Sequence, residues 1–329
     1  MKLFPALEKA YTREPLTARE AQRQAETKLS DYAVRVLLEA SLSIGTVLVD
    51  PASERFTLSK TGWFLLTDAS TRVNMDFNHD VNYEGLFRLE ESLREGRPAG
   101  LEHFGPWPTV YEGLSQLPEQ VRRSWFAFDH FYSDHSFDEA LRVIFSQPVG
   151  QLLDVGGNTG RWALRCVAYN TQVEVTVMDL PQQVAMMRSQ TAGHEGAGRI
   201  RGYGCNLLDA EESFPTDRRY DAIWMSQFLD CFGEEEIRSI LGRAARIMTD
   251  QTRLYIMETF WDRQKFEPAA FCLTLTSLYF TAIANGNSRM YHSETMQRLV
   301  EESGLEVETV HDFLGWGHSI MVCRKTDKH

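Results

Sequence analysis

Cysteine is scarce and scattered in this chain: five in 329 residues (Cys166, Cys205, Cys231, Cys272 and Cys323), with no C-x-x-C pair. An odd, dispersed set excludes a disulfide framework and argues against a zinc site, so the thiols read as reduced and no metal is expected. Positive charge is also in deficit, with 34 basic against 46 acidic residues and a net charge of -12. Affinity for duplex nucleic acid rests largely on phosphate neutralisation, so this balance disfavours a nucleic-acid partner and leaves small molecules open. No run approaches the ~18–20 apolar residues of a membrane helix, so no membrane partner is expected. The opening residues, Met1 to Lys9, are too polar for a secretion signal, which predicts a cytoplasmic protein. Core-forming material is what the chain has in quantity: 43% hydrophobic and 11% aromatic residues against 24% charged, the profile of a globular protein. The length is about twice the ~150 residues usual for one domain, so two domains are expected.

Over residues 1–100 the pattern is helical and then turns to a small hairpin. Apolar residues at Tyr32, Val34, Val36, Leu37, Leu38, Ala40 and Leu42 predict a partly buried helix over 30–43 with Ser30 as N-cap. A short apolar segment, 44–49, reaches the turn Asp50-Pro51-Ala52-Ser53, and 55–58 then leads to 61–66. Helix, turn and hairpin in that order suggest a winged helix. A DNA-reading module should be basic, yet the segment holds 13 basic and 15 acidic residues, so a dimerisation or lid module is preferred. Residues 101–148 form a connector dense in aromatics, and the spacing of Trp125, Phe126, Phe128, Phe131 and Tyr132 fits one helix that is apolar on most sides. Such a stripe serves either as core or as the lining of a flat, apolar acceptor pocket.

From Gln151 onward strands and helices alternate. Strands are expected at 151–155, 173–178, 200–204, 220–225 and 253–260, with helices at 161–169, after Pro181, and at 234–248. A helix at 293–302 and two strands, 305–310 and 319–323, close the chain. Repeating strand–helix units imply an α/β, doubly wound, mostly parallel sheet, and the last two strands, with no helix between them, are expected to pair antiparallel.

The most informative stretch is Leu152-Leu153-Asp154-Val155-Gly156-Gly157-Asn158-Thr159-Gly160-Arg161, a buried strand, a glycine turn and the start of a helix. That arrangement brings backbone close to a ligand at the carboxyl end of the first strand. The dinucleotide fingerprint G-x-G-x-x-G fails, because Asn158 and Arg161 stand where its second and third glycines belong. A phosphate loop fails too, since no G-K-[ST] follows. Asp154 favours a cationic group nearby rather than a pyrophosphate. Asp179, at the tip of the second strand, can accept hydrogen bonds from both hydroxyls of a ribose, or can cap the helix that begins at Pro181. Together the two acids and the glycine turn point to an adenosine that carries an amino acid in place of phosphates, and S-adenosylmethionine fits that description.

The segments Leu152–Gly160, Val177–Pro181 and Phe128–Ser136, in that spatial role and chain context, resemble those of the plant-type and bacterial small-molecule O-methyltransferases with a winged-helix domain. The resemblance covers nearly the whole chain. It implies a homodimer built through a winged-helix dimerisation domain at 1–100, and a Rossmann-like catalytic domain at 101–329 in which 101–148 is helical connector and acceptor pocket. It also implies S-adenosylmethionine as cofactor and a hydroxylated aromatic or polyketide-like acceptor, in secondary metabolism. By the resemblance Gly156 and Gly160 hold the methionine part of the cofactor and Asp179 its ribose, with Asp154, Leu180 and Ser226 beside it. Asn206 stands where the family usually has an Asp near the adenine, and an amide can still bond that edge. Tyr132 and Ser136 fall where relatives contact cofactor or acceptor, and Phe128, His130 and Phe131 are the acceptor-side candidates.

The family pattern breaks at the base. Relatives with phenolic acceptors carry a His-Asp-Trp phrase after the fourth strand, and its His is the general base. Here Asp230 takes the His position and Phe232 the Trp position. The supporting acid after the fifth strand is present as Glu258, while Ser288 replaces a second supporting Glu. A phenol near pKa ~10 must lose its proton as it attacks, and an ordinary Asp near ~3.9 is a weak base for that. Burial among Phe228, Leu229 and Phe232, or a proton shared with Glu258, would raise its basicity. The alternative is that Asp230 caps the helix near Glu234. His292 and His318 are further candidates for a base. The segment Phe228–Phe232 also resembles methyltransferases of bacterial aryl-polyene clusters, which implies a hydroxyphenyl acceptor held on a carrier. An acceptor that attacks through ring carbon, or a non-catalytic S-adenosylmethionine-binding protein, would suit a site without His.

Overall fold

The computed structural model describes residues 15–326, and the chain divides into two compact units after Asn78. In the first unit, α1 (Ala18–Gln24) starts at Thr17, which exchanges hydrogen bonds with Glu20: the hydroxyl accepts the Glu20 N–H, and Glu20 accepts the Thr17 N–H at 2.8 Å. Ser30 caps α2 (Asp31–Ser43) as expected, its Oγ accepting the Ala33 N–H at 3.2 Å. β1 (Val47–Asp50) and β2 (Arg55–Leu58) form the antiparallel hairpin. Residues 61–66 lie in α3 (Lys60–Thr67), which sits so close to the hairpin that a Cβ on Gly62 would collide with the Thr46 carbonyl. α4 (Ala69–Phe77) follows, capped by Asp68. Leu16, Val34, Leu38, Val47, Phe56 and Leu58 make this unit's core.

The second compact unit begins at His79, whereas the resemblance implied a domain boundary at 100. The cause is packing: the turns Gly85–Arg88 and Ala99–His103 lie on Phe280–Ala284. Gly85 and Gly100 meet backbone to backbone, and a Cβ on Gly85 would stand 2.7 Å from Ile283. The helix α5 (Glu119–Asp134) carries the whole aromatic stripe and is followed by α6 (Phe137–Ile144).

The sheet of this unit has seven strands: β3 (Gln151–Val155), β4 (Glu174–Asp179), β5 (Ile200–Gly204), β6 (Ala222–Ser226), β7 (Arg253–Glu258), β8 (Leu305–Leu314) and β9 (His318–Lys325). Their order is β5-β4-β3-β6-β7-β9-β8, parallel from β5 to β7, with β9 antiparallel to both neighbours. The chain reverses its direction of strand addition between β3 and β6, and ligands bind outside the carboxyl ends of the strands at such a point. Both faces are covered, which is why the central strands β3, β4, β6 and β7 are buried over most of their length. On one face α7 (Arg161–Tyr169) and α8 (Pro181–Thr191) bury Trp162, Cys166, Val184 and Met187 against Val175, Val177 and Trp224. The indoles of Trp162 and Trp224 stack at 4.7 Å. On the other, α9 (Glu234–Ile247) and α11 (Ser293–Glu302) bury Ile237, Ile240, Leu241 and Leu299 against Leu153, Val155, Ile223 and Met225.

One expectation needs correction. α10 (Glu267–Tyr279) runs on to Ala284, and these 18 residues, with mean hydropathy 1.2, are long and apolar enough by length and composition to cross a membrane. The run is hidden in the sequence by Thr274, Thr276 and Thr281, whose hydroxyls donate back to helix carbonyls and so add little polarity.

Candidate active site

The crevice beside β3 is shaped by three glycines. Gly156 (φ +74°) donates its N–H to the Met178 carbonyl at 2.8 Å, and a Cβ there would fall against the ring of Phe228. A Cβ on Gly157 would strike the Asp154 carboxylate, and one on Gly160 (φ +79°) would lie 2.7 Å from Met187. Gly160 also starts α7. Asp154 is buried beneath this loop and its Oδ2 has no hydrogen-bond partner. Burial first, and the Asp179 charge second, push its carboxyl up to about 8.

Asp179 ends β4, and it does not cap α8. Its two oxygens accept the backbone N–H groups of Asn158 (2.8 Å) and Leu180 (2.7 Å), tying the glycine loop to the second strand. Burial pushes its carboxyl up to about 6 against the pull of those two bonds. The Asn158 side chain donates to Asp129 Oδ2 at 3.3 Å and accepts from Gln183 at 3.4 Å. Leu180 and Ser226 are half-buried at the ends of β4 and β6. The Asn206 carboxamide oxygen accepts the Leu208 N–H at 3.1 Å. Ser136 is buried and donates to the Ser133 carbonyl at 2.7 Å, closing the turn between α5 and α6.

Across the crevice, β6 runs into a 3-10 turn, Leu229–Cys231, that carries Asp230. Gln227, before it, adopts φ +46°, and Phe228 packs on Gly156. Asp230 is not a helix cap: α9 starts at Gly233, whose N–H goes to Glu236 at 2.7 Å. Glu258, at the end of β7, accepts the N–H groups of Phe228 (3.1 Å) and Leu229 (2.9 Å) through Oε1, and its Oε2 is buried without a partner. Burial raises both acids, and the Asp230 charge raises Glu258 further. The Cys231 thiol stands 3.5 Å from Asp230 Oδ1. Ser288 donates to Asn285 Oδ1 at 2.8 Å, and Asn285 in turn donates to the Cys231 carbonyl at 2.5 Å.

The comparisons with known proteins agree with this layout. A Dimerisation2-like domain model matches residues 3–56, and an O-methyltransferase domain model matches 113–306, more than half of the chain. The chain belongs to the O-methyltransferase domain family. The norreticuline-7-O-methyltransferase of Papaver somniferum is 27% identical over 195 residues, and the match spans half of that protein's length. Among solved structures, the O-methyltransferase NcsB1 from neocarzinostatin biosynthesis, in complex with S-adenosylmethionine and 2-hydroxy-5-methyl naphthoic acid, superposes with a TM-score of 0.68 at 19% identity, covering 99% of this chain and 97% of that one. The mitomycin 7-O-methyltransferase MmcR superposes at 0.70 with 17% identity over 98% and 94% of the two chains.

In this O-methyltransferase-family chain the aromatic helix α5 turns its side chains in several directions. His130 stacks on Phe126 at 5.7 Å, and burial pushes its imidazole down to about 4, so it is neutral at pH 7. Phe128 lies against Tyr132, while Phe131 turns to Trp316 in the β8–β9 hairpin. His292 accepts the Glu294 N–H as N-cap of α11, and the buried His318 meets Gln227 Oε1 at 3.1 Å. Two residues passed over in the sequence, Tyr279 and Asp129, also lie here, with Tyr111 of the aromatic connector. The Trp125 N–H donates to the Tyr279 hydroxyl at 2.7 Å, Tyr111 reaches the Cys231 thiol, and Asp129 feels the Asp230 charge. Asp129 lies inside the Phe128–Ser136 phrase and was the one acid there one residue from an acceptor-side candidate on each side.

Proposed function

We propose that this chain is an S-adenosylmethionine-dependent methyltransferase that methylates a hydroxyl of a small aromatic acceptor, with Asp230 as general base and Glu258 as its support. The observation that carries the reading is Phe228 seated on Gly156: it joins the cofactor loop and the turn that bears Asp230 into one wall. The residues fit the cofactor. The glycine loop keeps the crevice open to backbone, Asp179 offers its remaining lone pairs to ribose hydroxyls, and the orphaned Asp154 oxygen beneath the loop favours a cationic group above it. Tyr132, Leu180, Asn206 and Ser226 line the rest of that side in this reading, while the buried Ser136, a cofactor-side candidate in the sequence, holds the turn between α5 and α6.

When bound, S-adenosylmethionine supplies a methyl group already activated by its sulfonium. What remains for the protein is to place the acceptor oxygen in line and to take its proton. Burial makes Asp230 a stronger base than a surface carboxylate, and the Glu258 bonds to Phe228 and Leu229 hold its turn rigid. Phe128, His130 and Phe131 form the acceptor-side surface, and neutral His130 binds rather than ionises. The Dimerisation2-like match and the exposed Tyr32, Ile44, Leu48, Trp63 and Phe64 support the first unit as the seat of a homodimer.

Calorimetric titration of the purified protein with S-adenosylhomocysteine tests the cofactor assignment: micromolar binding is expected, and its absence removes the reading. The substitutions at Asp230 and Ser288 favour a competing reading, a binding protein without turnover. Methyl transfer to any of a panel of hydroxybenzoates, hydroxycinnamates and their thioesters, abolished by Asp230→Asn, excludes that alternative. The thioesters test a carrier-bound acceptor, and the mass and fragmentation of the product separate oxygen from ring-carbon methylation.

A further inference from the structure

Asp129 has no use in the scheme above, and its surroundings are unusual for a carboxylate. It projects from α5 at the height of the glycine loop, with only a quarter of its side chain exposed. Among the described residues its hydrogen-bond donor is the Asn158 amide, a neutral group at a long 3.3 Å. His130 Nδ1 is 3.6 Å away, but burial keeps that imidazole uncharged at pH 7, so it does not neutralise the acid. Arg161 pulls in the favourable direction yet is ion-paired to Asp134.

The far side of the same space is acidic as well. Burial raises Asp230 against the pull of the Cys231 thiol, and burial with the Asp230 charge raises Glu258 against its backbone N–H bonds. The Asp230 charge raises the Asp129 carboxyl, and the buried Glu258 Oε2 has no hydrogen-bond partner among the described residues. A buried carboxylate is tolerated when it is paired, and a site that leaves several unpaired is built for a donor brought by a ligand. The Tyr279 hydroxyl, which accepts the Trp125 N–H, feels the charges of Asp129 and Asp230, and the buried Tyr111 feels that of Asp230.

We propose that the acceptor carries a protonated amine besides its hydroxyl-bearing ring, and that Asp129 is the carboxylate that binds that amine and so determines acceptor specificity. This rests on the methyltransferase reading and narrows its substrate class from hydroxylated aromatics to phenolic amines. The ammonium supplies the cation that Asn158 and His130 do not, while the hydroxyl is left for Asp230. Burial pushes the Asp129 carboxyl up to about 7, and an incoming cation favours its ionised form, so binding releases the proton that the carboxyl carries.

The test uses the full-length protein saturated with S-adenosylhomocysteine, with tyramine and 4-ethylphenol as matched probes that differ in the amine. Tyramine is expected to bind at least about tenfold more tightly than 4-ethylphenol, with proton release seen as a buffer-dependent heat. Asp129→Asn should abolish that preference and leave S-adenosylhomocysteine affinity within about twofold, and Asp129→Ser should do the same if the amide variant fails to fold. Equal affinities, binding of neither probe, or a preference that survives both substitutions overturns the proposal. A parallel loss of S-adenosylhomocysteine affinity also overturns it, by assigning Asp129 to the cofactor's own ammonium. Failure of the methyltransferase reading is distinguishable, because the wild-type protein would then not bind S-adenosylhomocysteine at all.

Discussion

Glu258 Oε1 accepts the backbone N–H of Leu229 at 2.9 Å, one residue before Asp230 in the chain. With the matching bond to Phe228, this makes the carboxylate at the end of β7 a clamp on the turn that presents the base. The clamp needs an acceptor oxygen, not a charge. Glu258→Gln keeps that oxygen and is expected to hold kcat within about threefold of the wild type. Glu258→Ala leaves a buried N–H at Leu229 and a partly buried one at Phe228 unpaired and should lower kcat at least about tenfold, as the loss of such hydrogen bonds implies. Steady-state kinetics on the two variants separate the clamp from a catalytic charge: equal losses would assign Glu258 a charge-bearing role.

The acid limb of the pH–rate profile should belong to Asp230. Burial raises this carboxyl, so the base form is lost as pH falls through a value above the ordinary Asp range near ~3.9. Activity should therefore rise with pH on a single limb placed clearly above that value. Asp230→Asn should remove the limb and cost about 10²–10⁴ in kcat, the usual worth of a general base. A limb that persists unchanged in Asp230→Asn would transfer the role to another group.

Gly156→Ala tests the wall shared by the loop and the turn. The added Cβ meets Phe228, and the backbone at φ +74° disfavours any L side chain by about 1–2 kcal/mol before the clash is counted. S-adenosylhomocysteine affinity and kcat should fall together, because moving Phe228 disturbs the turn of Asp230 as well as the loop. Loss of affinity alone, with kcat at saturation intact, would show that the two sides act independently.

Much of this architecture was legible because it is local. The strand at 151–155, the helix at 161–169 and the N-cap at Ser30 follow from apolar period, glycine position and capping chemistry, and each is found where expected. The antiparallel last pair followed from the missing helix between 305–310 and 319–323. The domain boundary was not legible, because the turns at 85–103 belong to the second unit through long-range backbone packing on 280–284 that no local pattern encodes. The candidate site divides in the same way. Gly156, Gly160 and Asp179 announce themselves by spacing around one strand–turn–helix unit. Tyr279, Tyr111 and Asp129 come from distant helical segments, and their meeting depends on how those segments pack on the sheet. Asp230 as a helix cap was excluded only by seeing Glu236 occupy the Gly233 N–H.

The buried Asp154 yields a prediction about stability rather than turnover. Its folded-state carboxyl is raised to about 8, whereas an unfolded Asp titrates near ~3.9. Between those values the folded protein binds more protons than the unfolded chain, so stability falls as pH rises across the window. Below the lower value Asp154 contributes no such penalty, and above about 8 the penalty is complete. Asp154→Asn removes an ionisable group whose Oδ2 has no partner to lose. In the ligand-free protein the variant should therefore gain in Tm over the wild type as pH goes from 5 to 8. The gain should amount to several degrees, at roughly 2–4 °C per kcal/mol for chains of this size. Bound cofactor should shrink that gain, because a cation over the loop stabilises the ionised form of Asp154 and lowers its folded-state value. Differential scanning fluorimetry of both proteins at the two pH values, with and without S-adenosylhomocysteine, reads all four cases. A Tm difference that does not change with pH would mean that Asp154 is not the proton-binding group assigned here.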